Sequence, residues 1–125
     1  MSTGYKYSEL TEKIIKAAYE VYNELGFGFL EKVYENALAH ELKRAGLPVI
    51  QQKTIEVFYK QELVGEYFTD LLIDETVLVE VKAVSKLSKI HEVQLVNYLK
   101  ATKIEIGLLI NFGEKIEIKR KIFDR

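Results

Sequence analysis

The chain has 125 residues, of which 48% are hydrophobic and 30% are charged, so a single folded domain covering residues 1–125 is expected. The lack of cysteine excludes disulfides, thiolate zinc sites and cysteine nucleophiles, and the net charge of -1 weighs against a pure nucleic-acid-binding module, which usually has a basic balance. The N-terminal residues lack the apolar core of a signal peptide and no apolar run is long enough to span a membrane, so we expect a cytoplasmic protein without membrane attachment.

Two amphipathic helices are predicted in the first third of the chain. In residues 8–25 apolar side chains recur every three or four positions, with Ser8 as the expected N-cap and Gly26 at the end. A second helix is predicted at residues 30–45, with Gly46 after its last turn. Its expected apolar stripe consists of Leu30, Val33, Ala37, Leu38, Leu42 and Ala45.

The pattern then changes to the alternation and β-branched content that are typical of strands. The remaining predicted elements are strands at 49–59, 63–73 and 77–82, a helix at 88–101, a strongly apolar strand at 104–111 and a last, edge strand from about Ile116 to Ile122. The order α-α-β-β-β-α-β-β predicts an α/β fold, in which a mixed β-sheet is flanked by helices.

The predicted hairpin between residues 63 and 82 places two acids opposite each other. Asp70 and Glu80 are equally distant from Glu75, the middle of the expected turn, so a symmetric antiparallel pairing makes them cross-strand partners. Like charges in such positions are destabilising unless a positive group lies between them. A divalent cation, which binds carboxylate oxygens well, is the simplest candidate.

Lys82 is expected on the same strand face as Glu80, because the two are separated by one residue. Two carboxylates and an ammonium among apolar strand residues suggest metal-assisted phosphate chemistry, in which the metal polarises a phosphate and lysine stabilises the developing charge. The simpler alternative is that Glu80 and Lys82 are ordinary charges on an exposed edge strand that prevent aggregation. The opposed Asp70 favours the metal site without excluding this alternative.

Further polar residues fall at regular helical spacings. Gly28, Glu31 and Tyr34 follow at intervals of three around the start of the second helix, and Gln94 and Tyr98 share one face of the third. Taken alone, Glu31 is an ordinary first-turn carboxylate, and Gln94 and Tyr98 are ordinary helix-surface residues.

In combination these motifs resemble the RecB-like branch of the PD-(D/E)XK nuclease superfamily, and most closely the GxxExxY protein family. The matching residues are Gly28-x-x-Glu31-x-x-Tyr34, Asp70, Glu80-Val81-Lys82 and Gln94-x-x-x-Tyr98. The resemblance implies a restriction-endonuclease-like core with an α-β-β-β-α-β order, which agrees with the order predicted from residues 30 to 111. One departure is Thr69, where the superfamily motif has proline.

The resemblance implies a role for each matching residue. Asp70, Glu80 and Lys82 correspond to the catalytic set, and Glu31 joins Asp70 and Glu80 as a metal ligand. The positions expected to bind substrate or support the site are Gln94, Tyr98 and Tyr34, together with Lys86 and Lys89 of the basic run after Lys82. His91 lies three residues before Gln94 and could face the same site or solvent.

The hypothesis that follows is a Mg²⁺-dependent nuclease, with Mn²⁺ able to substitute, which hydrolyses phosphodiester bonds with little sequence specificity. The expected partner is nucleic acid, with DNA favoured over RNA, and a homodimer or a larger complex is left open. One alternative is a non-cleaving nucleic-acid-binding module of the same fold. Another is a protein-interaction module that uses the first two helices as a partner surface.

Overall fold

The computed structural model describes residues 7–124. In chain order its elements are α1 (Ser8–Leu25), α2 (Glu31–Arg44), β1 (Val49–Tyr59), β2 (Glu62–Ile73), β3 (Val77–Lys82), α3 (Lys89–Ala101), β4 (Ile106–Phe112) and β5 (Ile116–Ile122). The predicted α-α-β-β-β-α-β-β order is confirmed. Among the described residues, no helix is long and apolar enough to cross a membrane.

The five strands form one mixed sheet in the order β1-β2-β3-β4-β5. Neighbouring strands are antiparallel except β3 and β4, which are parallel and joined by the crossover helix α3. The helices α1 and α2 pack on one face of the sheet and α3 packs on the other, which gives two hydrophobic cores. The structure is therefore an α/β fold with a sheet covered on both faces, as the sequence predicts.

Three details near the helix starts differ from the prediction. The N-cap of α1 is Tyr7, in a left-handed conformation, so Ser8 lies inside the helix rather than capping it. Leu30 is 81% exposed and Val33 is also exposed, because Leu30 precedes the first turn of α2 and Val33 faces away from the sheet. Tyr34 and Ala39 are buried instead, beside the expected Leu38 and Leu42.

The long β1–β2 hairpin changes phase at Gln52 and Asp70. Gln51, whose partner is Leu71, lies against α2, where it contacts Glu35. Ile55 and its partner Tyr67 lie on the opposite face, against α3. In a regular strand they would share the α2 face with Gln51 and Leu71, because they are four residues away. The change coincides with the left-handed backbone of Gln52, at φ 55°. The irregularity lies beside the candidate functional residues.

Candidate functional site

Asp70 and Glu80 are interlocked where β2 and β3 separate. The regular pairing of these strands ends at Leu71 and Val79, the register that symmetry about Glu75 predicts. One step further, side chains replace the ladder: the Asp70 backbone N–H donates to Glu80 Oε2 at 2.9 Å, and the Val81 N–H donates to Asp70 Oδ2 at 2.7 Å. Each carboxylate is therefore fixed by the opposite strand, and the expected opposition of the two acids is confirmed.

Both carboxyl groups ionise less readily than exposed ones. Glu80 is only 8% exposed, and this burial, followed by the charge of Asp70, raises its pKa from 4.5 to about 7. Burial is also the main cause that raises the pKa of Asp70, while the hydrogen bond from Val81 lowers it. Thr69, which replaces the proline of the superfamily motif, donates to Glu80 Oε2 at 2.7 Å and partly offsets the effect of burial on Glu80.

Lys82 and Glu31 interact electrostatically with the acids of the pair. Burial is the main cause that raises the pKa of Glu31, and the charge of Asp70 adds to it, whereas the ammonium of Lys82 lowers it. The same ammonium lowers the pKa of Asp70 and of Glu80. Glu31 is exposed, yet it interacts electrostatically with Asp70 and Lys82. The structure thus brings Lys82 and Glu31 within electrostatic range of the strand acids.

The position of Glu31 depends on the loop before α2, which Tyr34 holds. Tyr34 is fully buried and stacks on Phe112, with ring centroids 4.6 Å apart. Its hydroxyl donates to the Gly26 carbonyl at 2.6 Å and accepts the Phe29 N–H at 3.2 Å. Tyr34 therefore supports the site from within the core, and its burial excludes the direct substrate contact that was also considered.

Gly28 serves this loop through its backbone conformation. Its φ is +110°, which side-chain-bearing residues rarely adopt, and a Cβ atom there would meet nothing within 4 Å. Glycine is therefore not required at position 28 to make room for a neighbouring group. It is required because the turn that leads to Glu31 needs this backbone conformation.

Glu35 and Gln52 belong to the site, although the motifs do not include them. Glu35 lies one helical turn after Glu31 and is only 3% exposed. Its carboxylate accepts hydrogen bonds from Gln51 and Gln52 and pairs with Lys32. The Gln52 amide also donates to Asp70 Oδ1 at 3.2 Å, so it links the helix to the strand acid. A left-handed non-glycine residue such as Gln52 is strained, and such strain often marks functional sites.

Tyr98 connects the acids with a groove between the β1–β2 hairpin and α3. Burial is the main cause that raises the pKa of its phenol, and the charges of Glu80 and Asp70 add to it. Its ring lies 5.8 Å from that of Tyr67. We call this cavity of about 550 Å³ the aromatic groove; its lining includes Phe58, Tyr67, Gln94, Asn97, Tyr98 and Lys100. Gln94 and Tyr98 therefore line one cavity.

The other basic candidates and His91 have interactions outside the pair of acids. The charge of Lys86 acts on Glu117, and that of Lys89 acts on Glu92, both on the side of the molecule near β5. His91 Nδ1 interacts with the Ser88 backbone N–H at 3.2 Å and completes a capping box at the start of α3. His91 is thus a helix-capping residue.

The donor set suits a hard divalent cation bound by two carboxylates. Among residues 7–124, both hydrogen bonds to Glu80 reach Oε2, and none reaches Oε1. In the same part of the chain no three His, Cys, Asp or Glu side chains form a ready-made metal cluster, and Glu31 is exposed. Mg²⁺ is usually held by one or two carboxylates together with waters and substrate phosphates, so an interlocked pair is sufficient.

Comparison with known proteins identifies one family. The model of the PD-(D/E)XK nuclease superfamily matches residues 8–121, nearly the whole chain. No curated protein and no solved structure matches significantly.

Proposed function

Because this chain belongs to the PD-(D/E)XK nuclease superfamily, we propose that it is a divalent-metal-dependent nuclease whose catalytic residues are Asp70, Glu80 and Lys82. The observation that carries the proposal is the interlocked pair of a half-buried and a buried acid, Asp70 and Glu80, whose pKa values the ammonium of Lys82 lowers. Two buried like charges side by side destabilise a fold. A cation that both acids bind explains why the pair is present.

We assign Asp70 and Glu80, with the exposed Glu31, as the residues that would hold the cation, Mg²⁺ or Mn²⁺ in its place. When bound, it would neutralise charge on a phosphate oxygen and lower the pKa of the attacking water. Gln52 and Val81 donate to the two oxygens of Asp70, and Thr69 and the Asp70 backbone donate to Glu80 Oε2. These bonds orient the carboxylates before any ligand arrives, which reduces the entropy lost on binding.

Lys82 supplies the positive charge that stays in place during the reaction. Its ammonium lowers the pKa of Glu31, Asp70 and Glu80, which supports a role for it beside the phosphate that the proposed cation would bind. Stabilising this charge in the transition state is the role we assign to it. Gln94 and Tyr98 line the adjoining groove and would contact the substrate there.

The finer classification is also a proposal. The spacing of Gly28, Glu31 and Tyr34, together with Gln94 and Tyr98 on α3, supports membership of the GxxExxY family in the RecB-like branch. We propose DNA rather than RNA as substrate, read through its backbone and therefore with little sequence specificity. We also propose a single domain that acts in the cytoplasm.

A nuclease screen with purified protein tests the proposal. Supercoiled plasmid, single-stranded DNA and RNA are incubated with Mg²⁺, Mn²⁺ or EDTA, and the products are separated on gels. We expect metal-dependent cleavage by the wild type and by Lys13→Ala, an exposed α1 control, but not by Lys82→Ala. Equal cleavage by Lys82→Ala would reveal a contaminant, and binding without cleavage by the wild type would favour the non-cleaving module.

A further inference from the structure

We propose that the aromatic groove binds an unstacked nucleobase, and hence that the substrate is single-stranded next to the scissile phosphate. The inference rests on the proposed nuclease function and defines its substrate class. The groove lies near the acids, since its lining residue Tyr67 stands three residues before Asp70 on β2, and Tyr98 of the same lining interacts electrostatically with both Glu80 and Asp70. A strand held at the acids can therefore reach the groove with a neighbouring nucleotide.

The lining has the chemistry of base recognition. Tyr67 is 50% exposed and Phe58 is 58% exposed, so both leave ring surface accessible. Aromatic rings beside a nucleic-acid path stack on bases without regard to sequence. Gln94 and Asn97 are exposed amides that can donate to and accept from the polar edge of a base.

Charges at the groove agree with the same ligand. Lys100 is exposed on the α3 side and can contact a phosphate of the strand. Glu56 is the acid of this lining, and a carboxylate there can accept a hydrogen bond from a base amino group. The combination of rings, amides and one charge of each sign fits a nucleotide better than it fits a purely apolar ligand.

The hairpin is built so that the groove stays open. The register of β1 and β2 shifts between Val57 and Phe58, which brings both of these neighbouring residues to the lining. Gly65 is the cross-strand partner of Val57, and a Cβ atom there would come within 3.4 Å of the Tyr67 ring. A Cβ atom at Gly65 would therefore be in van der Waals contact with the ring of Tyr67.

The size of the cavity fits one splayed nucleotide rather than a duplex. About 550 Å³ lies within the range of sites that enclose a small ligand. In a duplex, both faces of each base are covered by its neighbours, so stacking on Tyr67 requires a base that has left the helix. Single strands and frayed ends meet this requirement without the cost of unpairing.

Binding of labelled oligonucleotides, separated from cleavage, tests this inference. Fluorescence anisotropy with Ca²⁺ in place of Mg²⁺ compares three probes of equal length: single-stranded oligothymidine, the same strand with abasic sites, and a duplex. The variants are Tyr67→Leu, which removes the ring, and Tyr67→Phe, which keeps it. We expect Tyr67→Leu to weaken binding of the intact single strand by roughly tenfold, Tyr67→Phe to bind like the wild type, and the abasic strand to be insensitive to both variants.

The outcomes separate this inference from the proposed function. Cleavage by the wild type with equal affinity of wild type and Tyr67→Leu for the single strand would overturn the groove assignment and leave the nuclease intact. Binding that depends on the Tyr67 ring, without any cleavage by the wild type, would support the groove assignment and overturn the proposed nuclease function. A duplex bound as tightly as the single strand, or a dimer in light scattering that Tyr67→Leu dissociates, would also overturn the inference, the latter by assigning the groove to a second copy of the chain.

Discussion

Replacing Glu80 with glutamine separates the charge of this residue from its hydrogen bonds. The amide oxygen of glutamine can accept the bonds that Oε2 now accepts from the Thr69 hydroxyl and the Asp70 backbone. The negative charge, which burial and Asp70 disfavour, is lost. Because these two causes raise the pKa of Glu80 from 4.5 to about 7, the substitution should change the stability of the metal-free protein in a pH-dependent way.

The direction of this dependence follows from proton binding. Below about pH 4.5 the folded and unfolded states both hold the proton, and the raised pKa has no effect on stability. Between 4.5 and about 7 the unfolded chain releases the proton while the folded protein retains it, so the free energy of unfolding falls as the pH rises. Above that range the full penalty is present, and a pKa difference of this size corresponds to roughly 3 kcal/mol.

We therefore expect Glu80→Gln to be about as stable as the wild type near pH 4.5 and more stable by roughly 3 kcal/mol at pH 8 without metal. Urea unfolding followed by circular dichroism in EDTA measures both free energies, with Glu12→Gln on the exposed face of α1 as the matched control. The same stability difference at both pH values would refute the reasoning, since it would show that folding does not raise the pKa of the Glu80 carboxyl.

Three further predictions concern the groups around this pair. Millimolar Mg²⁺ or Mn²⁺ should stabilise the wild type at pH 8, by about 2.7 kcal/mol at a hundredfold excess over Kd, and Asp70→Asn very little; scanning fluorimetry that shows equal shifts would exclude Asp70 as a ligand. Gln52→Ala removes the amide that joins Glu35 to Asp70 and should weaken Mn²⁺ binding by about tenfold in calorimetry; an unchanged Kd would assign Gln52 to folding alone. Tyr34→Phe removes the hydroxyl that holds the loop at residues 26–29 and should lower the free energy of unfolding by about 1–2 kcal/mol, whereas wild-type stability would mean that this loop needs no such anchor.

The opposition of Asp70 and Glu80 is the part of the site that the sequence predicts best. It depends only on the symmetry of a short turn and on the period of two regular strands. Both conditions hold up to the pair Leu71 and Val79. At the acids themselves the ladder gives way to side-chain hydrogen bonds, and no local pattern indicates this change.

Glu35 and Gln52 show why the rest of the site could not be read from local patterns. Within α2, Glu35 looks like one more charged residue on an exposed face, and its burial depends on amides from the distant strand β1. Gln52 sits in a run with regular strand character, yet its backbone is left-handed at φ 55°. Alternation therefore predicts the wrong face for the residues beyond it, including Tyr67, which reaches the aromatic groove only because the phase changes.

The central claim is that Asp70 and Glu80 together hold a divalent cation, and a count of bound Mn²⁺ tests it most directly. Electron paramagnetic resonance of free Mn²⁺, titrated into the protein at pH 8, gives the number of ions bound per chain and their Kd. We expect one ion in the wild type, none at the same concentrations in Asp70→Asn or Glu80→Gln, and one in Lys82→Ala, which retains both acids but should not cleave. Binding of Mn²⁺ by Asp70→Asn and Glu80→Gln with the stoichiometry and Kd of the wild type would contradict the claim.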